Sequence, residues 1–209
     1  MRAKQILALI AMVTTTTAVY AQVGNNEHVA NPNIADSKVL TTLPVLNQDI
    51  VAKIEAARPM ANTAELGAAI GDSLTEQQKT ELYTQLFVPI NLNTANRDEI
   101  MLVPGMSKKM AHEFEEYRPY TSLEQFRREI GKYVDETEVA RLEQYVFIPM
   151  PLNSASSEDF MTIPGMSKKM VHEFEEYRPY QSMEQFRREI GKYVDDNEVA
   201  RLERYVTLD

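Results

Sequence analysis

Two copies of one short segment carry the residues best suited to chemistry. Residues 104–109 are Pro-Gly-Met-Ser-Lys-Lys, and residues 164–169 repeat the same six residues. In each copy a glycine turn precedes a serine that is predicted to cap a helix, and two lysines follow in its first turn. Free backbone N–H groups and the positive end of the helix dipole together suit a bound anion. The candidate anion-binding residues are Gly105, Met106, Ser107, Lys108, Lys109, Gly165, Met166, Ser167, Lys168 and Lys169.

The charges on the helices after these turns allow two interpretations. Lys108 and Lys109 stand at the start of a predicted helix and residues 115–116 are glutamates near its end, an arrangement that opposes the helix dipole. Each such exposed charge costs about a few tenths of a kcal/mol, which suggests that the lysines hold an anion. The alternative is that they are solvated surface lysines, some of which pair with Glu113 or Glu173. Both interpretations stay open at this point.

Other charged and aromatic residues fit structural roles. Arg127, Arg128 and Lys132 alternate with acidic residues, so we expect a mixed, salt-bridged face. An arginine precedes a proline at three positions, and we expect its side chain to cap the carbonyl groups of the preceding helix. Several aromatic residues are expected in the core and not on an exposed stacking surface. These residues are Arg58, Arg118 and Arg178 before proline, and Tyr117, Tyr120, Phe126 and Tyr145 for the core.

Residues suited to catalysis or metal binding are few. His112 and Glu116 stand four positions apart on a predicted helix, as do His172 and Glu176. A catalytic zinc site needs three protein ligands, and no His-Glu-x-x-His motif occurs, so we expect exposed His–Glu pairs. The sequence also contains no glycine-rich nucleotide loop and no nucleophile elbow. We therefore expect no enzyme activity, no catalytic residue, no metal and no cofactor.

The first 21 residues have the pattern of a secretory signal peptide. Arg2 and Lys4 precede a short apolar run at 6–13, and small residues close the segment. That run is well short of the roughly 20 residues that a membrane span needs. We predict a signal peptide at 1–21, a polar linker at 22–30, and an exported product, periplasmic or secreted, without a membrane span. An uncleaved N-terminal anchor is the alternative.

Composition narrows the classes of partner. The chain has 22 basic and 31 acidic residues, a formal net charge of −9, and no cysteine. A disulfide framework and thiol chemistry are therefore excluded. An acidic chain does not attract a polyanion through its overall field, so any polyanion would have to contact a local basic patch.

The sequence repeats itself with a 60-residue period. Without a gap, more than two thirds of the positions in 151–209 are identical to their counterparts in 91–149. A weaker copy precedes them, with asparagine, proline and glycine positions in the same register. We predict three tandem units, here named the first segment (31–90), the second segment (91–150) and the third segment (151–209). Apolar, proline-containing joints indicate that they pack end to end.

Cap residues divide the second segment into four short helices. Asn93 or Thr94 is expected to cap the first helix and Ser107 the second. Ser122 and Asp135 are expected to cap the third and fourth, because Gln or Glu follows each three residues later. Apolar residues recur at helical spacing and strand-like alternation is absent, so the predicted class is all-α. The predicted buried positions are Ile100, Val103, Met110, Phe114, Tyr117, Phe126, Ile130, Val139, Leu142 and Val146.

The spacing around the glycine turn resembles a known motif. Ile100, Val103, residues 105–107 and Ala111 follow the apolar, glycine-turn and alanine spacing of the helix-hairpin-helix repeat in ComEA, the competence DNA-uptake family. Two hairpins make one four-helix unit, so the resemblance implies three tandem double helix-hairpin-helix units over nearly all of 31–209. It also implies that the candidate residues bind DNA phosphates without reading sequence. The photosynthetic subunit PsbU is similar to the same domain and serves as a protein-binding piece.

The chain departs from the family pattern at most of its turns. Ser107 and Ser167 replace the family's second glycine, and their hydroxyl groups compete for the free N–H groups as caps. The second hairpin turns, at 133–135 and 193–195, end in aspartate caps that would repel a phosphate. Neither hairpin turn of the first segment contains glycine. The resemblance favours DNA as the partner, whereas these departures favour an envelope protein bound on the same fold.

Overall fold

The computed structural model describes residues 23–24 and 28–208, and the predicted signal peptide lies outside this part of the chain. The described residues are predominantly helical, which confirms the all-α class. The helices are α1 (Ser37–Thr42), α2 (Gln48–Ala56), α3 (Thr63–Ile70), α4 (Glu76–Tyr83), α5 (Arg97–Met101), α6 (Lys108–Glu116), α7 (Leu123–Ile130), α8 (Glu136–Glu143), α9 (Ser157–Phe160), α10 (Lys168–Glu176), α11 (Met183–Ile190) and α12 (Asp196–Glu203). Among these described helices, none is long and apolar enough to cross a membrane.

Local capping explains where most helices begin. Ser107 caps α6 by accepting a hydrogen bond from the Met110 N–H at 3.1 Å, as predicted. Ser122 and Asp135 cap α7 and α8 in the same way, through the N–H three residues on. The prediction for α5 was wrong, because Asn96 caps that helix and forms a reciprocal capping box with Glu99.

Asn93 has a different role from the predicted cap. Its Oδ1 accepts a hydrogen bond from the Tyr120 N–H at 2.7 Å, and its Nδ2 donates to the Tyr120 carbonyl at 2.9 Å. One side chain thus ties the start of the second segment to the loop before α7. The same pair of bonds joins Asn33 to Met60 and Asn153 to Tyr180.

The arginines before proline secure the same junction. Arg118 donates from Nε to the Leu92 carbonyl and from Nη2 to the Ala95 carbonyl, both at 2.6 Å. Arg58 and Arg178 donate to carbonyls at the same relative positions. The predicted structural role holds, but the predicted acceptors were wrong. The acceptors lie in the turn before the first helix of each segment. This turn therefore packs next to the end of the second helix, where the arginine stands.

Sequence reasoning missed short parallel strand pairs that close the segments. β1 (Ile90–Asn91) pairs with β2 (Val146–Phe147), and β3 (Met150–Pro151) pairs with β4 (Val206–Thr207). A single parallel bridge between Ala30 and Leu86 takes the same place in the first segment. These pairs bring the two ends of each segment side by side.

The buried apolar residues form two cores within the described part of the chain. One core combines residues of the first and second segments. The other contains the third segment together with Val23 and Phe147, which also form an antiparallel bridge with each other. Of the predicted buried positions, Met110 and Tyr117 are partly exposed and the rest are buried.

The third segment folds back onto the first. The Asn31 Nδ2 donates a hydrogen bond to the buried Tyr205 hydroxyl at 3.2 Å. Arg204 Nη2 donates to the Pro89 carbonyl at 2.9 Å, at the joint between the first two segments. The guanidinium lies over the rings of Phe147 and Tyr205, with centroids 5.6 and 5.9 Å away. The segments therefore contact one another beyond their chain neighbours.

Candidate functional site

The turn before α6 exposes three consecutive backbone N–H groups. Gly105 has a φ of +75°, a conformation open to glycine at little cost, and it turns the chain sharply into the helix. The Met106 N–H closes the turn by donating to the Val103 carbonyl at 3.0 Å. The N–H groups of Ser107, Lys108 and Lys109 have no acceptor among the described residues. The serine cap therefore occupies the fourth N–H group of this helix end, that of Met110, and leaves three free.

The third segment repeats this geometry closely. Gly165 has a φ of +79°, and the Met166 N–H donates to the Ile163 carbonyl at 3.0 Å. Ser167 caps α10 by accepting from the Met170 N–H at 3.2 Å. The N–H groups of residues 167–169 again lack an acceptor within the described chain. The structure thus brings the ten candidate residues together at two separate turns of the same geometry.

The four lysines at these turns are exposed. None of them forms an ion pair with any residue that the structure describes. The expected alternative pairing with Glu113 and Glu173 was wrong, because both glutamates are buried. Lys109 instead places its Nζ 5.5 Å from the ring centroid of Tyr133, and Lys169 stands 5.9 Å from that of Tyr193. Positive charge therefore remains uncompensated beside the free N–H groups.

Arg141 fixes the Gly105 turn from the other hairpin. Its Nη1 donates to the Pro104 carbonyl at 2.7 Å, and its Nε and Nη2 donate to the Glu138 carboxylate, both at 2.7 Å. Arg201 makes the same three contacts with Pro164 and Glu198. Sequence reasoning missed both arginines, although their recurrence at the same position of the repeat offered a signal.

A tyrosine pair lies next to each turn. The hydroxyl groups of Tyr117 and Tyr133 are 2.8 Å apart, and the Lys132 Nζ is 4.9 Å from the Tyr117 ring centroid. The hydrogen bond with Tyr117, followed by that with Glu113, raises the pKa of Tyr133. Tyr177, Tyr193 and Lys192 form the same cluster in the third segment. Of the predicted core aromatic residues, Tyr120, Phe126 and Tyr145 are buried and Tyr117 is partly exposed.

Two other hairpin turns among the described residues carry acidic side chains at the helix N-terminus. Asp135 occupies the N-terminus of α8 with its own carboxylate, which accepts from the Glu138 N–H at 2.9 Å. In the first segment Asn47 caps α2, and Gln48 and Asp49 stand where the lysines stand in α6. An aspartate in the first turn favours the helix dipole and opposes a bound anion.

The second basic cluster is neutralised. Arg127 makes a bidentate ion pair with Glu143, with both N–O distances 2.6 Å. Arg128 and Lys132 both pair with Glu129. Arg187, Arg188 and Lys192 repeat these pairs with Glu203 and Glu189. The predicted salt-bridged face is confirmed.

The histidines lie at the surface. His112 Nε2 is 3.0 Å from Glu116 Oε2, and His172 Nε2 is 3.6 Å from Glu176 Oε2. All four side chains are more than half exposed. In the described part of the chain, no group of three or more metal-ligating side chains is clustered.

A family model for the helix-hairpin-helix motif matches residues 85–135. The matched stretch contains α5, the Gly105 turn, α6 and α7, so one of the two turns lies within the matched motif. This motif is generally found in nucleic-acid-binding proteins. No curated protein and no solved structure gave a match.

Proposed function

We propose that this chain is an exported, non-enzymatic protein that binds the phosphate backbone of duplex DNA without reading its sequence, as the resemblance to ComEA implies. The observation that carries the proposal is the pair of turns at Gly105 and Gly165, each with three N–H groups free of acceptors in the described chain. The helix-hairpin-helix match over 85–135 supports it. Contacts to phosphates position a duplex but carry no sequence information.

The distribution of charge supports the same assignment. Lys108 and Lys109 have no carboxylate partner among the described residues, whereas Arg127, Arg128 and Lys132 are neutralised by glutamates. With a formal net charge of −9, the whole chain repels DNA at long range. Binding therefore depends on the few lysines beside the free N–H groups, and we expect it to weaken steeply as salt rises.

The same proposal includes three tandem double helix-hairpin-helix units at 31–90, 91–150 and 151–209. The Asn–backbone pairs and the arginine contacts recur at equivalent positions of the three units, which supports this division. The first unit has lost the phosphate site, since Asp49 replaces a lysine in it. Its role is then structural.

Export follows from the predicted signal peptide at 1–21. Cleavage before Gln22 would leave a chain that begins eight residues before the packed Ala30–Leu86 bridge. Mass spectrometry of the protein isolated from its natural source checks this part of the proposal. A chain that retains residues 1–21 would contradict it.

A second candidate function is binding of an envelope protein on the same fold. The acidic balance and the aspartate caps of α8 and α12 favour this alternative, because both disfavour DNA. The repeated tyrosine and lysine clusters would then contact a repeated or symmetric partner. A pull-down from envelope extract that recovers a specific partner, together with no DNA binding, would replace the first proposal by this one.

The test of the first proposal is fluorescence anisotropy of a labelled duplex of about 30 base pairs, titrated with the chain 22–209 at low and physiological salt. We expect salt-sensitive binding that is the same for unrelated sequences. Changing Lys108, Lys109, Lys168 and Lys169 to alanine should abolish most of it. The matched control changes Arg128, Lys132, Arg188 and Lys192 to alanine, which removes the same number of positive charges from neutralised positions. Equal losses in the two variants would contradict the assignment to the turns.

A further inference from the structure

An exposed tyrosine stands beside each of the two glycine turns. Among the phenylalanine and tyrosine residues that the structure describes, Tyr133 and Tyr193 are exposed, at 38% each, and the others are buried or partly buried. Both belong to the loop that leads into the fourth helix of their segment, α8 or α12. The two exposed aromatic rings of the described chain are therefore placed next to the two candidate phosphate sites.

Each ring is held in place by its neighbour. The hydroxyl of Tyr133 is 2.8 Å from that of Tyr117, and the hydroxyl of Tyr193 is 2.9 Å from that of Tyr177. The ring planes within the two pairs are inclined by 50° and 51°, so the two clusters have the same geometry. A ring that is already fixed loses little freedom when a flat group stacks on it, which lowers the ordering cost of binding.

One lysine of each turn reaches the same ring. The Lys109 Nζ is 5.5 Å from the centroid of the Tyr133 ring, and the Lys169 Nζ is 5.9 Å from that of the Tyr193 ring. The backbone N–H of each lysine is one of the free groups of its turn, so a single side chain spans the distance from turn to ring. A cation–π contact between exposed groups is weak, and a bound phosphate would draw the ammonium group off the ring.

The first segment lacks the tyrosine as well as the turn. Its asparagine and arginine contacts, which hold the fold, are the same as in the other two segments. The positions equivalent to Gly105, Lys109 and Tyr133 are nevertheless occupied by Val45, Asp49 and Ser73. The fold therefore does not require an aromatic residue at this position, and the ring is present only where the glycine and the lysine are.

We infer that Tyr133 and Tyr193 stack on unpaired bases, so that the chain prefers DNA with a single-stranded tail to a blunt duplex. This inference rests on the proposed function, because the turn beside each ring has to hold the phosphate. Inside a duplex each base is stacked between its neighbours and offers no free face to a protein ring. An aromatic ring beside a cationic phosphate-binding surface is the combination by which proteins hold single strands without reading their sequence.

Anisotropy with two labelled DNAs tests the preference. One is the blunt duplex of about 30 base pairs, and the other is the same duplex with a tail of about ten thymidines. We expect the tailed duplex to bind roughly fivefold or more tightly, since stacking on one base is worth that much. Tyr133→Leu with Tyr193→Leu should abolish this difference and change binding of the blunt duplex less than about twofold.

Two controls separate stacking from charge and from the hydroxyl bond. Tyr133→Phe with Tyr193→Phe keeps both rings and should keep the preference for the tail. Stacking releases no counterions, so the leucine pair should leave the slope of log K against log salt unchanged for the tailed duplex. Circular dichroism should show the same helix content in all variants.

A fluorescent variant reports stacking directly. The chain contains no tryptophan, so Tyr133→Trp introduces one indole beside the Gly105 turn. A thymidine oligonucleotide should quench its fluorescence, whereas saturation with the blunt duplex should leave most of it.

Equal affinity of the unaltered chain for the tailed and the blunt duplex would overturn the inference and leave the proposed function standing. A preference that survives in the leucine pair would also overturn it, because the added phosphates of the tail would then be its cause. A chain that binds neither DNA at low salt would remove the proposed function itself.

Discussion

The Nη1 of Arg141 donates a hydrogen bond to the Pro104 carbonyl at 2.7 Å, and so ties α8 to the turn from which α6 begins. The same guanidinium is held by Glu138, one turn earlier on α8. The second hairpin of the segment has an aspartate at its own helix N-terminus, and this carboxylate opposes a bound anion there. The second hairpin instead positions the first, because Arg141 on α8 holds the Pro104 carbonyl next to Gly105. The orientation of the free N–H groups after Gly105 depends on this contact.

Arg141→Ala should therefore reduce both stability and DNA binding. Loss of the bond to Pro104 should destabilise the fold by about 1 kcal/mol, since the exposed pair with Glu138 contributes little. Arg201→Ala removes the same bonds from a side chain that is only 3% exposed, and it should cost more stability. Urea denaturation measures both variants. A larger loss for Arg141→Ala than for Arg201→Ala would contradict this account.

Asn93→Ala should destabilise the chain without any direct effect on the anion site. The substitution removes two hydrogen bonds to Tyr120, at 2.7 and 2.9 Å, and leaves a partly buried backbone N–H without its acceptor. We expect a loss of about 2 kcal/mol in the free energy of unfolding, from chemical denaturation. Thr94→Ala, at the exposed neighbouring position, should change it by less than about 0.5 kcal/mol. Similar values for the two variants would mean that the Asn93 contacts do not stabilise the fold.

Gly105→Ala should separate the backbone cost of the turn from its role in binding. Gly105 has a φ of +75°, so an alanine there should lower the free energy of unfolding by about 1–2 kcal/mol. The added Cβ would lie 3.4 Å from Arg141 Nη2. Gly71→Ala is the control, because Gly71 has a φ of +59° and open space around it. Both variants should lower the melting temperature, and we expect Gly105→Ala alone to weaken duplex binding. Reduced binding with Gly71→Ala would point to general destabilisation instead.

Alkaline pH should destabilise the fold through its buried tyrosines. Burial raises the pKa of Tyr205, and likewise of Tyr120 and Tyr180, because the charged phenolate is poorly solvated. A folded-state pKa above the unfolded value of about 10 means that this stabilisation is complete below pH 10 and is lost as pH rises toward the folded pKa. Melting temperatures should be flat from about pH 8 to 9.5 and then fall.

Tyr205→Phe provides the control for the pH experiment. The variant lacks the titrating hydroxyl and also the bond from Asn31, so it should be less stable at neutral pH. Its melting temperature should nevertheless fall less steeply above pH 10 than that of the unaltered chain. An identical slope in both proteins would show that Tyr205 does not titrate with unfolding.

Much of the site could be predicted because its parts are local. A serine cap acts on the N–H three residues on, and a glycine turn precedes it by two residues, so Gly105 and Ser107 were identifiable from spacing. The same applies to Asp135, whose capping carboxylate argued against a second anion site. The cap of α5 was predicted wrongly because the Asn93 side chain finds its partners at Tyr120, beyond the reach of any local rule.

The sequence by itself determined the helical class, most helix starts and the two glycine turns, because these depend on residues within four positions of one another. That the lysines beside the turns have no carboxylate partner among the described residues was visible only in the structure. Only the tertiary structure decided what lies around each turn. Arg141 reaches Pro104 and Arg201 reaches Pro164 through packing between distant parts of each segment. Behind two turns with the same six residues, the Arg141 side chain is 32% exposed and that of Arg201 is 3% exposed. This difference depends on the packing of the whole fold, whereas the repeat by itself gives both turns the same local structure.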